Sequence, residues 1–320
     1  MLGLVTAAVA ASLDPDLVPL HDALADRVGG DDVRIVSWDD DSVVWSDFDT
    51  VVIRSTWDYT DRLAEFLAWV DRVDAVTTLV NSADAVRWSS DKRYLADLAG
   101  EGIAVTPTVF VEPSEPVPII EAEAGVYVVK PTVGAGANGA RRCEPGEVAD
   151  HVALLHAEGR TAMIQPYLDL LDARGETALC FVSSVDGDHL ELSHAFRKGA
   201  ILTSVDVEQE GDLFAKEDIA PRTPSAEELD LARAVLETEA VRSKGPIRFA
   251  RVDIAPWRAP DGTESYVVLE LELIEPSFFF VEAAVGRGAA VVDGDPTVRF
   301  AERILTWRSS GPTRDAEMDS

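Results

Sequence analysis

Val126-Tyr127-Val128-Val129-Lys130-Pro131-Thr132-Val133-Gly134-Ala135-Gly136-Ala137-Asn138-Gly139 passes from a β-branched and aromatic run, through a lysine, into three glycines within six residues. Valine and tyrosine suit a pleated, half-buried surface, so 126–130 is predicted to be a strand. The glycines then free the backbone of 134–139 to present N–H groups, an arrangement suited to covering phosphate oxygens. No Gly-Lys-Ser/Thr follows, which excludes a P-loop. More than 120 residues precede Gly134, and Arg141-Arg142 follow where a dinucleotide-binding fold would open an apolar helix. Glycine richness alone leaves a phosphate cover and an ordinary flexible loop both open.

Upstream, residues 1–85 alternate strand and helix patterns. Strands are predicted at Leu2–Ala7, Val33–Val36 and Asp49–Ile53. Helical spacing marks Asp16–Arg27 and Thr60–Val73, the second with Leu63, Phe66, Leu67 and Val70 on one face and Thr60 or Asp61 as N-cap. This is a βαβ-type open sheet, whose ligands bind at strand C-termini. Arg54-Ser55-Thr56-Trp57-Asp58-Tyr59 falls at such an end. Ser89–Ala99 then reads as a helix carrying Lys92.

Downstream, a helix is predicted over Glu147–Glu158 and a strand over Met163–Tyr167. The last third is read mostly as strands: Glu176–Ser183, Leu190–Phe196, Phe249–Ala255 and Tyr266–Ile274. One helix, Ser225–Val241, opens with the capping-box pattern Ser225…Glu228, and another covers Arg299–Trp307. Strand side chains alternate faces, so Glu270 and Glu272 point one way, and Leu269, Leu271 and Leu273 the other, towards the core. Arg251 and Asp253 likewise share a face. A hairpin through Asp261-Gly262 would bring three carboxylates and one arginine together. Clustered carboxylates repel unless cations intervene, and hard oxygen ligands suit Mg²⁺. A solvated strand face balanced by salt bridges is the other reading.

The 320-residue length implies two or three lobes. A net charge of −30 repels nucleic acid and anionic lipid. Lysine occurs only at 92, 130, 198, 216 and 244. That composition fits a proteome adapted to high salt, or an arginine-preferring, GC-rich genome. Cys143 and Cys180 form no spaced pattern, which argues against a disulfide scaffold or zinc knuckle. No apolar run reaches the ~20 residues of a membrane span. Met1–Ala11 lacks the basic start of a signal peptide and is read as a buried strand with its loop, placing the protein in the cytoplasm.

Taken in order, Lys92, Lys130 with Gly134–Gly139, Gln165-Pro166-Tyr167-Leu168, and Asp253 with Glu270-Leu271-Glu272 form a succession. It resembles the ATP-grasp superfamily, typified by glutathione synthetase and D-alanine–D-alanine ligase, over nearly the whole chain. The resemblance implies an α/β fold of the α+β ATP-grasp type: a pre-ATP-grasp domain at 1–85, and two lobes at 86–168 and 169–308 clasping the nucleotide. A disordered tail at 309–320 follows. It implies ATP and Mg²⁺ (or Mn²⁺) as cofactors. Lys92 and Lys130 would contact phosphates, and Gly134, Gly136, Asn138 and Gly139 would close over them. Gln165–Leu168 would read adenine, and Asp172, with Asp169 as competitor, the ribose. Arg251 would stabilise the reacting centre. Asp253, Glu270 and Glu272 would hold the metal, although the common pattern has Asn where Glu272 stands.

Arg54-Ser55-Thr56-Trp57-Asp58-Tyr59, Phe66–Trp69, Ser193–Gly199 and Glu272–Phe278 further resemble a bacterial subgroup of small ATP-grasp proteins. The cyclo-ligase that closes O-ureido-D-serine to cycloserine belongs to that subgroup. The implied activity is ligation of a carboxylate to an amine through an acyl phosphate, on an amino-acid-like small molecule, within one molecule or between two. A nucleotide-binding regulator is the rival from another class. Homologous scaffolds make a homodimer an analogy-based expectation.

Arg54, Ser55, Thr56 and Asp58 are candidates for holding substrate; lobe-interface packing is the alternative. Arg197, Glu275 and Ser277 are further substrate candidates, and Lys198 reads equally as a contact or a solvated turn. His194 reads more readily as a packed strand histidine than as a base.

Overall fold

The computed structural model describes residues 1–119, 125–201, 209–210, 214–215, 218–285 and 294–309. Four parallel strands open the chain: β1 (Leu2–Thr6), β2 (Val33–Ser37), β3 (Thr50–Ser55) and β4 (Thr78–Val80), in the order β2-β1-β3-β4. Parallel neighbours need crossovers, supplied here by α1 (Leu17–Val28) between β1 and β2 and by α2 (Leu63–Asp74) between β3 and β4. Every residue of β1 and β3 is buried, as expected of strands covered on both faces. Helix α1 buries Leu17, Leu20 and Leu24; α2 buries Phe66, Trp69, Val70 and Val73. The expected N-cap of α2 is corrected. A 3₁₀ turn over Trp57–Asp61 uses Thr60, whose hydroxyl donates to the Trp57 carbonyl, and Arg62 occupies the cap without a side-chain hydrogen bond.

The helix predicted over Ser89–Ala99 is two helices, α3 (Ala83–Ser89) and α4 (Tyr94–Gly100). The break has one local and one distant cause. The Asp91 carboxylate accepts the Arg93 N–H at 2.9 Å, and the Lys92 N–H leaves the helix to reach the Thr132 carbonyl at 2.9 Å. Lys92 therefore projects from a turn. The next sheet is antiparallel: β5 (Val109–Val111), β6 (Tyr127–Pro131), β7 (Arg141–Cys143) and β8 (Ala162–Pro166), ordered β5-β8-β6-β7. Helix α5 (Val148–Ala157) covers it through Val148, Val152 and Leu155, which pack with Val129 and Ile164.

After α6 (Leu170–Arg174) comes the largest sheet. Its strands are β9 (Glu176–Ser183), β10 (Leu190–Lys198), β13 (Ile219–Pro221), β14 (Phe249–Arg258) and β15 (Glu264–Glu272), in the antiparallel order β13-β10-β9-β14-β15; β11 (Gln209–Glu210) and β12 (Phe214–Ala215) pair only with each other. The helix predicted over Ser225–Val241 is split into α7 (Ala226–Leu236) and α8 (Glu239–Arg242), because Thr238 turns extended and caps the second piece. The capping box at Ser225 and Glu228 is present. α9 (Phe280–Val285) and α10 (Pro296–Ser309) end the described chain. The expected tail lies, after Ser309, outside the described residues.

Packing crosses the sheet boundaries. Tyr94, Leu95 and Leu98 of α4 share a core with Phe181, Val252, Leu271 and α7. The opposite face, through Cys180, Phe196 and Phe249, packs on α10 and on Leu2, Leu4 and Leu17 of the first lobe. The parallel sheet thus packs on one face of the largest sheet, and α4 with Met163 of the middle sheet on the other. Among the described residues no helix is long and apolar enough to cross a membrane.

Candidate active site

The hairpin through Asp261-Gly262 forms, with Gly262 at φ +87°, and it sets Arg251 opposite Glu272 and Asp253 opposite Glu270. Between Asp253 and Ile254 the register shifts by one residue of β15, so Leu269 is an extra residue. This corrects its expected orientation: Leu269 packs with Val267, Leu168 and Trp257, away from the core that takes Leu271 and Leu273.

A cleft of about 800 Å³ opens between the middle sheet and the largest sheet. Its roof is Lys130 of β6 with Gly134, Gly136 and Asn138 of the loop; its floor is Arg251, Glu270 and Glu272; its inner edge is Gln165–Leu168. The loop turns through left-handed conformations at Gly136 (φ +57°), Ala137 (φ +63°) and Gly139 (φ +74°). Gly139 lies behind the wall. A Cβ there would stand 3.2 Å from Arg160 and 3.3 Å from Pro131, so this position has a steric reason for glycine. The Gln165 side chain turns from the cleft to donate to the Thr108 hydroxyl at 2.9 Å, leaving backbone at that edge.

Cations and carboxylates interleave. Lys92 Nζ lies 2.9 Å from Glu270 Oε1 and donates to the Gly134 carbonyl at 2.6 Å. Arg251 grips Asp253 through Nε at 2.8 Å and Nη2 at 2.9 Å, reaches Glu272 at 2.5 Å, and donates to the Ser277 carbonyl at 3.0 Å. Lys198 Nζ meets Glu176 at 2.7 Å and Asp253 at 3.2 Å. Burial works against the Asp253 carboxylate, but Arg251 and Lys198 outweigh it and hold its pKa below the ordinary value. Burial likewise opposes Glu270, and Lys92 and Lys130 reverse the effect. Glu272 has less compensation. Burial, against the pull of Arg251 and with Glu270 and Asp253 adding repulsion, raises its pKa to about 7. Burial and then Glu272 push Glu275 well up. Burial pulls the Lys130 ammonium down, with Glu270 acting the other way.

Among the described residues no three carboxylate, histidine or cysteine groups form a ready metal cluster. Asp253, Glu270 and Glu272 do converge around Arg251, as expected, but Asp253 is 1 % exposed, absent from the cleft wall, and committed to two cations. Glu270 and Glu272 do face the cleft. Two hard carboxylates, with nucleotide phosphates completing the shell, fit Mg²⁺.

Other expected contacts fall elsewhere. Arg54, Ser55, Thr56 and Asp58 do not line the cleft. Arg54 is 1 % exposed, between the rings of Phe278 and Phe300; Ser55 bonds Thr6; Asp58 takes Trp38 Nε1 and Arg62. It is Trp57 and Tyr59 of that stretch that reach the wall. Asp172 is also outside the wall, accepting the Tyr167 hydroxyl, and Asp169 pairs with Arg258 at 2.6 Å. Arg197 points to Asp218 at 2.9 Å, whereas the next residue, Lys198, enters the cleft, as strand alternation requires. Glu275 and Ser277 line it. His194 is a packed residue: its Nε2–H donates to the Phe278 carbonyl at 2.7 Å, and burial lowers its pKa to about 4.

Glu176 has no place in the motif succession, and Lys198, which reads equally as a contact or a solvated turn, lies in the cleft. A signal for the lysine was present in the composition: in a chain with five lysines, Lys92, Lys130 and Lys198 all line this cleft.

Residues 2–81 match the family model described as the D-cycloserine synthetase DcsG N-terminal domain. The cycloserine biosynthesis protein DcsG of Streptomyces lavendulae is 38% identical over 297 residues, covering 87% of this chain and 92% of that one. The crystal structure of D-cycloserine synthetase DcsG superposes with a TM-score of 0.76 at 35% identity, covering 95% of this chain and 99% of that one. D-alanyl-alanine synthetase A from Vibrio cholerae shares the fold, with a TM-score of 0.64 at 12% identity over 96% and 97% of the two chains.

Proposed function

The chain belongs to the DcsG family of ATP-grasp ligases, and from that premise we propose that it joins a carboxylate to an amine of an amino-acid-like substrate, within one molecule, through an acyl phosphate. The observation that carries the reading is the convergence of Lys92, Lys130, Lys198 and Arg251 with Glu270 and Glu272 in one cleft under the glycine loop.

Phosphoryl transfer asks the protein mainly for positioning and charge stabilisation. Lys92 and Lys130, which line the cleft, would hold nucleotide phosphates against the loop N–H groups. Glu270 and Glu272 would hold Mg²⁺, which when bound neutralises charge on the phosphate oxygens. A substrate carboxylate oxygen bonds to the γ-phosphorus and ADP leaves. The amine nitrogen then bonds to the acyl carbon, phosphate departs, and the amine proton is released. Arg251 supports both steps by offering its guanidinium at the floor. Gly134–Asn138 exclude the water that would otherwise hydrolyse the intermediate. The relatives named for cycloserine favour the intramolecular version.

The test is phosphate release from ATP and Mg²⁺ across amino acids and O-substituted serines, with product mass read in parallel. Loss of one water from a single substrate supports ring closure. A mass of two substrates less water replaces it with ligation between molecules. ATP binding without turnover on any substrate moves the protein to a regulatory role.

A further inference from the structure

Glu275-Pro276-Ser277-Phe278-Phe279-Phe280 leaves β15 and carries Glu275 and Ser277 to the cleft wall. Its main chain is tied from two lobes. From the first lobe, Asp16 accepts the Phe280 N–H at 2.8 Å and the Phe278 N–H at 3.2 Å, and Arg54 Nη2 donates to the Pro276 carbonyl at 3.3 Å. From the last lobe, His194 donates to the Phe278 carbonyl and Arg251 to the Ser277 carbonyl at 3.0 Å. Phe279 adopts φ +49° between these ties, a left-handed conformation unusual for a bulky residue.

The side chains repeat the pattern. The guanidinium of Arg54 stands 5.3 Å from the Phe278 ring centroid and 5.5 Å from that of Phe300, at distances typical of cation–π contact. Phe278 and Phe280 stack at 5.3 Å with an interplanar angle of 5°. Asp16 and Arg54 are each 1 % exposed. Two buried charges thus bond three peptide groups of this one segment rather than solvent, a costly placement that scaffold packing alone does not require.

We infer that Arg54 and Asp16 are positioning residues, which set Arg251 and Glu275 in the reactive geometry through the main chain of Pro276–Phe280. The first lobe then acts on catalysis without touching the reacting atoms. Arg251 has one nitrogen on this segment and the others on Asp253 and Glu272, so a shift of Ser277 moves the guanidinium. A misplacement of ~1 Å costs about 100-fold in rate.

This inference rests on the ligase reading, so its test needs one arm that is independent of turnover. In the full-length protein, Arg54→Met and Asp16→Asn are compared with Arg54→Lys. Amide exchange at Phe278 and Phe280 is expected to accelerate at least about tenfold in Arg54→Met and Asp16→Asn, with ATP affinity and the rest of the exchange map unchanged. The kcat is expected to fall about 10- to 100-fold with KM for the amine substrate held, and Arg54→Lys to recover part of it. A raised KM at unchanged kcat would make Arg54 a substrate contact and overturn the inference. Parallel loss of ATP binding and melting temperature in all three variants would make the pair plain scaffold and overturn it equally. If the wild type turns over no substrate, the ligase reading fails on its own, and slow exchange at Phe278 and Phe280 in the variants still overturns the positioning claim.

Discussion

Lys92 Nζ and Glu270 Oε1 stand 2.9 Å apart, joining the turn after α3 to the end of β15 across the cleft. The same ammonium holds the Gly134 carbonyl at 2.6 Å. Lys92 is therefore a staple between loop and floor before any nucleotide arrives. On the proposed reading, incoming phosphates would compete with Glu270 for the lysine, and Mg²⁺ with the lysine for Glu270. Nucleotide and metal should bind with positive coupling. Lys92→Ala is expected to weaken ATP binding about 10- to 100-fold in Mg²⁺, and Glu270→Gln to abolish most of the Mg²⁺ dependence. Titration calorimetry with and without EDTA checks both, and unchanged affinity in Lys92→Ala would remove the staple from the account.

His194 supplies a pH prediction with a definite sign. Its folded pKa of about 4 lies below the ordinary 6.5 because burial disfavours the imidazolium. Between those values the unfolded chain binds a proton that the folded chain refuses. Its contribution is whole above pH 6.5 and is lost as the pH falls towards 4, a difference of ~3 kcal/mol at most. Asp16 opposes it: burial raises its pKa from 3.8 to about 6, so its contribution is present below pH 3.8 and is lost as the pH rises through 6. Melting curves from pH 4 to 7 should therefore be shallower in acid loss for His194→Gln, and steeper for Asp16→Asn. Parallel curves in all three proteins would contradict both assignments.

The parallel strands and helices of the first 85 residues, the hairpin at Asp261-Gly262 and the capping box at Ser225 were legible, because each rests on local patterning: period, turn residues, cap residues. Three features were not. Lys92 was read on one continuous helix because helical spacing persists across 89–99, while the break depends on Thr132, forty residues away. Leu269 was placed on the core face because alternation assumes no bulge. Arg54 looked like a substrate arginine because it ends a strand of an open sheet; the aromatic rings that enclose it come from Phe278 and Phe300, over two hundred residues on. Local rules hold until a distant partner takes the hydrogen bond or fills the space.

Glu228 distinguishes a cap from a network. Its carboxylate caps α7 by accepting the Ser225 N–H at 2.7 Å, and it also takes the Thr177 hydroxyl and Arg222 at 3.3 Å while 1 % exposed. Ser225→Ala removes only the reciprocal bond to the Glu228 N–H and should cost ~1 kcal/mol with activity retained. Glu228→Ala also leaves the buried Thr177 hydroxyl and the Arg222 charge without their acceptor and should cost ~3 kcal/mol or more. Denaturant melts of the two variants that shift equally would show that the Thr177 and Arg222 bonds contribute nothing.

Arg197 and Lys198 are adjacent on β10 and face opposite ways. Arg197 pairs with Asp218 and donates to the Arg174 carbonyl at 3.1 Å, and does not itself line the cleft. Lys198 reaches inward to Glu176 and Asp253. Removing the inner charge leaves Asp253 buried with Arg251 and takes a cation from the place where phosphate charge would develop. Lys198→Met is expected to lower kcat about 100-fold or more. Arg197→Ala loses an ion pair whose acid is largely exposed, worth under ~1 kcal/mol, and should keep ATP affinity within about twofold. Steady-state rates and nucleotide titrations on the pair decide the point. If Arg197→Ala is the inactive variant, the strand presents its other face to the substrate, and the cleft drawn from Lys198, Arg251 and Glu272 is the wrong one.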